Sequence, residues 1–172
     1  YKTRRGLEGR MTKGLSTGGR LLGYRTIPIP DGRGGTNGAT IEIHEEERKV
    51  VERIFREYAR GHSLLSIARA LNLDEVPVLR PHRTNRKRGW VCSTVRAILH
   101  NTAYVGRWSY MRREWRRDPD TGNRRYQTRT EGVMVQERPH LRIIDDQQWE
   151  AVQTRLADVR KKYVGGPRAD GP

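Results

Sequence analysis

Large apolar side chains recur at helical spacing in four short stretches of this chain, and this spacing constrains its fold more than any other feature. Val50, Val51, Ile54, Phe55 and Tyr58 fall at i, i+1, i+4, i+5 and i+8, one stripe of a 3.6-residue period. A helix over 45–60 follows, with Glu45, Glu46 and Glu47 at the end where the helix dipole favours anions and Arg60-Gly61 closing it. Ser63 is placed to cap a second helix whose buried face is Leu64, Ile67, Ala68 and Leu71. A third runs over about 92–100 with Val95, Ile98 and Leu99 inward. Asp145 and Gln148 have capping-box spacing and open a last helix carrying Trp149, Val152, Leu156 and Val159 on one side.

Little else can build a core. Leu, Ile, Val and Phe together number 34 of 172 residues, near the roughly 20% below which chains tend to stay disordered. One domain with appended arms is the expected organisation. Residues 1–13 read as the end of a longer helix, and 14–40 as an extended Gly-rich basic arm with a mobile tip at Gly32–Gly38. Residues 41–163 form the packed part, with Ile41-Glu42-Ile43 as a short strand, and 164–172 form a disordered tail. After Asn101 the period changes to that of strands. Tyr104–Tyr110 and Gly132–Gln136 read as the two strands of a hairpin, or wing, joined by a long polar connection that turns at Asp118–Asn123. The expected class is mainly α with a small β-hairpin or sheet (α+β), helix-turn-helix or winged-helix-like, with an extended N-terminal arm. One feature departs from a plain helix-turn-helix: residues 73–90 are far longer than the usual 3–4-residue turn.

Several functions are excluded at this level. No run approaches the roughly 18 apolar residues of a membrane span, and no signal-peptide pattern opens the chain. The single Cys92 excludes an internal disulfide framework and a cysteine-rich zinc site. His44, His62, His82, His100 and His140 lack metal-ligand spacing, and no serine stands in a nucleophile-and-base pattern. Gly32–Gly38 is followed by no Gly-Lys-Ser/Thr and is no phosphate loop. Cys92 reads as a small packing residue, and Trp90, Tyr104, Trp108 and Trp149 as core or wing packing rather than base-stacking platforms.

The charge points to a partner. Net charge is +15, and it is uneven: residues 1–40 carry a surplus of 6 positive charges and residues 80–117 a surplus of 10, with near-neutral segments elsewhere. Localised positive charge is the expected footprint of a polyanion. Of the 35 basic residues 29 are Arg, a bias that suits bidentate contacts to phosphate and guanine, although a GC-rich genome produces it too. With Val95, Ile98 and Leu99 inward, Ser93, Thr94, Arg96, Ala97 and His100 are left facing solvent. Those residue types fit major-groove base edges, and equally an ordinary polar helix face. Arg83, Arg86, Lys87 and Arg88 precede that helix, while Arg107, Arg112 and Arg113 follow it. Arg4, Arg5, Lys13, Thr17, Gly18, Gly19, Arg20, Tyr24 and Arg25 complete a candidate set for the DNA backbone or minor groove.

Three segments, taken together, are similar to the recombinase domain of large serine recombinases, the phage integrases and transposon resolvases of that group. They are Thr17-Gly18-Gly19-Arg20-Leu21-Leu22-Gly23-Tyr24-Arg25; Val50–Tyr58 and Gly61 with Ile67–Asn72; and Trp90–Asn101 followed by Tyr104-Val105-Gly106. Pro139–Ile144 and Trp149–Gln153 also fit, so the resemblance covers about residues 3–162. Leu21-Leu22 stands where prolines are common, and Val91-Cys92 where a cap residue and a proline often open the third helix.

The resemblance implies binding of double-stranded DNA at a recombination attachment site. It also implies that the nucleophilic serine domain precedes residue 1, so that no catalytic residue is expected in this chain. The family's zinc ribbon would follow residue 172, so neither metal nor cofactor is expected in between. The fragment is expected to be monomeric off DNA, its parent a dimer or tetramer on DNA, and its location cytoplasmic. An RNA-binding protein and a stand-alone helix-turn-helix regulator are the alternatives. A self-contained nuclease ranks last, because Glu114 is the only acid within residues 80–117.

Overall fold

The computed structural model describes residues 2–79, 89–110, 113–129 and 132–164. Helix α1 (Lys2–Thr12) leads into a hairpin of β1 (Tyr24–Pro30) and β2 (Thr36–Ile43), followed by α2 (Glu45–Ala59), α3 (Leu64–Leu73) and α4 (Cys92–Leu99). A 3-10 turn (Thr102–Val105) precedes β3 (Arg107–Tyr110), β4 (Arg113–Arg117), β5 (Arg124–Thr128) and β6 (Met134–Glu137). A second 3-10 turn (Pro139–Leu141) then gives way to α5 (Asp146–Val164). The ladders are antiparallel pairs: β1 with β2, β3 with β6, and β4 with β5.

The helices form where the stripes placed them, and α3 and α5 carry the caps their sequences offer. Ser63 Oγ accepts the Ser66 N–H at 3.0 Å and Asp145 Oδ1 the Gln148 N–H at 2.7 Å. His44 caps α2 through Nδ1, at 3.4 Å from the Glu47 nitrogen. The buried faces meet in one core of Val51, Ile54 and Phe55 from α2, Ile67 and Leu71 from α3, Val95 and Leu99 from α4, and Val152 from α5.

An aromatic row crosses this core and ties the sheets to the helices. Trp149 of α5 stacks on Phe55 (ring centroids 5.9 Å apart), and Phe55 meets Tyr104 edge-on at 6.0 Å. Tyr104 stacks on Tyr24 at 6.0 Å, and Tyr24 meets Trp108 of β3 edge-on at 5.1 Å. Offset and edge-to-face pairs of this kind each add about 0.5–1.5 kcal/mol beyond area burial. Trp90, Tyr104 and Trp108 are buried, as their reading as packing residues requires.

Two expectations are corrected. Residues 24–40 are not an extended arm. Tyr24 pairs with Ile43 and the register runs up to a bulge between Pro28 and Pro30, so Ile41–Ile43 is the end of a strand that begins at Thr36. A boundary at residue 41 would cut this hairpin. Its tip is ordered by one carboxylate: Asp31 Oδ1 accepts the N–H groups of Arg33 and Gly35, each at 2.8 Å, which holds the Asp31 carboxyl below its ordinary pKa. Second, Tyr104–Gly106 is not strand. Asn101 Oδ1 caps the Ala103 N–H at 3.1 Å, the chain makes one 3-10 turn, and Gly106 at φ +84° redirects it into β3. The long polar connection is itself the β4–β5 hairpin, turning where expected, with the Gly122 N–H on the Asp118 carbonyl at 2.9 Å. The tail from residue 165 onward lies outside the described residues.

Candidate nucleic-acid interface

Helix α4 buries Val95 and Leu99 fully and Ile98 nearly so, leaving Ser93, Thr94, Arg96, Ala97 and His100 exposed. At 100° per residue, Ser93, Ala97 and His100 share the centre of the outward face. Thr94 flanks them on one side and Arg96 on the other. Arg96 and His100 also wall a groove against α5, facing Leu156, Arg160 and Lys161 over Tyr58 and Leu64.

Both ends of α4 are held from outside. Its N-cap position is Val91, which supplies no side-chain hydrogen bond. The substitute lies one residue upstream. Asn72, at the end of α3, accepts the Trp90 N–H on Oδ1 at 2.6 Å and donates from Nδ2 to the Trp90 carbonyl at 2.9 Å. The indole N–H of Trp90 reaches the Val76 carbonyl at 2.9 Å. Gly89 allows this clasp, because a Cβ there would collide with the Asn72 amide. At the other end, Gln153 of α5 donates to the Leu99 carbonyl at 2.7 Å. Arg155 lies over the Tyr58 ring at 4.4 Å and donates to the carbonyls of Tyr58 and Gly61, closing α5 onto α2.

The arm is anchored by carboxylates. Glu47 takes the Arg20 guanidinium on Oε1 at 2.5 Å and the Gly23 N–H on Oε2 at 3.0 Å. Arg25 pairs across the hairpin with Glu42 at 3.1 Å, and Arg107 with Glu137 at 3.6 Å. These three arginines therefore carry internal partners that a phosphate has to replace. Gly18 and Gly19 are exposed at φ +93° and +82°, Thr17 is half-buried, and Lys13 and Arg5 are exposed along and just after α1.

Tyr24 does not belong to a DNA-contacting set. It is 3% exposed, and its hydroxyl donates to the Leu141 carbonyl at 2.8 Å with the Ala103 carbonyl 3.2 Å away. A tyrosine beside Arg25 in a basic segment reads as a contact residue until the hairpin turns it inward. Arg83, Arg86, Lys87, Arg88 and Arg112 lie outside the described residues. Arg4 falls in α1 and Arg113 in β4, with side chains outside the described part.

Sequence reasoning passed over Asn72, Gly89 and Arg138. Arg138 is 3% exposed, lies 5.3 Å over the Trp108 ring, and donates to Gln136 Oε1 at 2.8 Å and the Leu15 carbonyl at 3.2 Å. It thereby ties the arm to β6. No periodicity marks such residues, since each is defined by a contact that forms only once the chain has packed. Among the described residues no group of three His, Cys, Asp or Glu side chains is placed to hold a metal ion. None of the described helices is long and apolar enough to cross a membrane.

A helical body of α2–α5 with a small β-ladder after α4 describes this chain, and similar folds have been solved. One is in the crystal structure of a large serine recombinase (LSR)–DNA complex, with TM-score 0.57 and 21% identity, covering 94% of this chain and 39% of that one. Another comes from work on the sequence requirements of the Listeria innocua prophage attP site, with TM-score 0.58 and 18% identity, covering 99% of this chain and 58% of that one. The chain thus spans roughly two fifths to three fifths of the length of these two. Residues 45–159 match the family model Recombinase, and the chain belongs to that family.

Proposed function

We propose that this chain is the double-stranded-DNA-binding module of a site-specific serine recombinase, reading an attachment site with α4 in the major groove. One observation carries the reading. The exposed face of α4 combines Ser93, Thr94, Arg96, Ala97 and His100 on a helix clasped at both ends by Asn72 and Gln153. Base readout requires a donor–acceptor face held in one orientation, and a short helix without its own cap obtains that orientation from neighbours. The relatives solved with or for DNA sites support the same assignment. Arg20, Arg25 and Arg107, together with Arg83, Arg86, Lys87 and Arg88 of the basic insertion, supply phosphate contacts that add affinity without sequence information. Strand cleavage belongs to the parent protein's serine domain. The isolated module is a cytoplasmic monomer that assembles on DNA with its parent.

Selection from a randomised duplex pool, followed by competition with single-stranded DNA and RNA, tests the proposal. A recovered consensus with duplex DNA preferred is expected; RNA winning the competition refutes it. On the consensus duplex, Arg96→Ala costs about 1–3 kcal/mol and relaxes the sequence preference, while affinity for random duplex falls less. Equal losses on both duplexes count against α4 as the reading helix. With roughly 6–8 phosphate contacts, log affinity falls against log salt with a slope of about −5 to −7.

A further inference from the structure

The β4–β5 hairpin places arginines opposite arginines. Its register pairs Arg116 with Arg125 and Arg117 with Arg124, two successive cross-strand pairs of like charge. Like charges directly opposite one another destabilise a ladder. A two-stranded hairpin has little stability to spare, so this repulsion is a cost that an isolated fold has no reason to carry. Among the described side chains of the hairpin the compensation is thin. Asp118 Oδ2 lies 3.5 Å from Arg125 Nε, while Oδ1 of the same carboxylate is occupied by the N–H groups of Asp120 and Thr121. Arg117 Nε donates to the Gly122 carbonyl at 3.1 Å, which satisfies a donor but neutralises no charge. Arg117, Arg124 and Arg125 are all exposed, and the Arg125 side chain is 76% accessible. The remaining acids are Asp120, exposed in the turn, and Glu114, which shares its register position with Gln127.

We infer that this hairpin is a second phosphate-binding element, one that grips the backbone of duplex DNA independently of α4. A polyanion converts the Arg117–Arg124 pair from a cost into a bidentate phosphate clamp, because guanidinium forks match phosphate oxygens. The inference rests on the DNA-binding reading above and adds an element to it. Neither the basic insertion nor the arm accounts for these arginines, since the hairpin lies beyond both in sequence and has its own ladder.

The test compares the 172-residue chain with Arg124→Gln and Arg117→Gln/Arg124→Gln variants in salt titrations on consensus and random duplexes. Each glutamine should reduce the slope of log affinity against log salt by about 0.9. By the same relation, affinity at 0.1 M salt should fall about eightfold per substitution, to the same extent on both duplexes. Thermal stability in low salt should be unchanged or raised, because the cross-strand repulsion is relieved. Asp120→Asn should strengthen binding to both duplexes. The inference is overturned by an unaltered slope, by a loss confined to the consensus duplex, by a loss on duplex RNA with none on duplex DNA, or by an affinity loss that tracks a fall in melting temperature. Failure of the DNA-binding reading itself looks different: the unsubstituted chain then shows no duplex preference and no steep slope.

Discussion

Gly23 is where the arm, the hairpin and the helical body meet, and replacing it with alanine has a cost that can be worked out in advance. Its φ is +86°, and an added Cβ would lie 2.9 Å from Ile143 Cδ1 and 3.3 Å from Val51 Cγ2. Its N–H is held by Glu47 and its carbonyl accepts the His44 N–H at 2.9 Å, so the backbone has no freedom to swing away. A left-handed conformation costs an L-residue about 1–2 kcal/mol. Overpacking adds about 1–3 kcal/mol, and the stiffer unfolded chain returns about 0.4–1 kcal/mol. Gly23→Ala should therefore destabilise the fold by about 2–4 kcal/mol, lowering the melting temperature by about 5–15 °C for a domain of this size.

Gly61→Ala is the control. That residue also has positive φ, at +108°, but nothing lies within 4 Å of its added Cβ, so it should show the conformational cost less the unfolded-chain offset and no overpacking, about 0.5–1.5 kcal/mol. Ile143→Val removes the colliding atom. Combined with Gly23→Ala it should recover about 1 kcal/mol relative to additivity, the signature of direct contact. Thermal and urea unfolding followed by circular dichroism measures all four proteins. If Gly23→Ala costs no more than Gly61→Ala, or if the double variant is additive, the close approach of arm and core is not what Gly23 serves.

Other consequences are simpler to state. Burial raises the hydroxyl pKa of both Tyr24 and Tyr104 above the ordinary tyrosine value of 10.0. Their protonated forms are thus favoured by folding. Stability is full below about pH 10 and falls above it, by about 1.4 kcal/mol per pH unit for each tyrosine. Tyr24→Phe should halve that slope in alkaline unfolding curves; an unchanged slope would show that the hydroxyl does not stay protonated in the fold. Glu75, at φ +52°, is the non-glycine residue held in the left-handed region among those described. Glu75→Asn should raise stability by about 0.5 kcal/mol, read as a higher urea midpoint with the same m-value. Asn72→Ala removes two bonds to Trp90 and should cost about 1–3 kcal/mol. It should also speed amide exchange in the first turn of α4, and an unaltered exchange rate there would remove Asn72 from the positioning of that helix.

The glycine-rich segment shows why local pattern does not reveal a hairpin here. Its punctuation was legible, but β1 carries Pro28 and Pro30, and β2 carries Gly38. These residues weaken a strand pattern because they remove ladder donors or side-chain contacts. What makes the segment a hairpin is the burial of Tyr24 against Tyr104 and Trp108, contacts some 80 residues away in sequence. The connection between the outer strands was unreadable for a related reason. Its Arg-rich strands have no apolar alternation, so the β4–β5 ladder and its opposed arginines become visible only once register is known.

By itself the sequence determined the four helices, their caps at Ser63 and Asp145, and the outward face of α4. These depend on spacing along one element and on side chains reaching their own backbone. It also determined where positive charge concentrates. Only the tertiary structure decided how α4 is held, which arginines are engaged by Glu42, Glu47 and Glu137, and that Tyr24 faces the core. Each of those depends on a partner far along the chain. Local periodicity carries no information about such a pair until packing has brought its two members together.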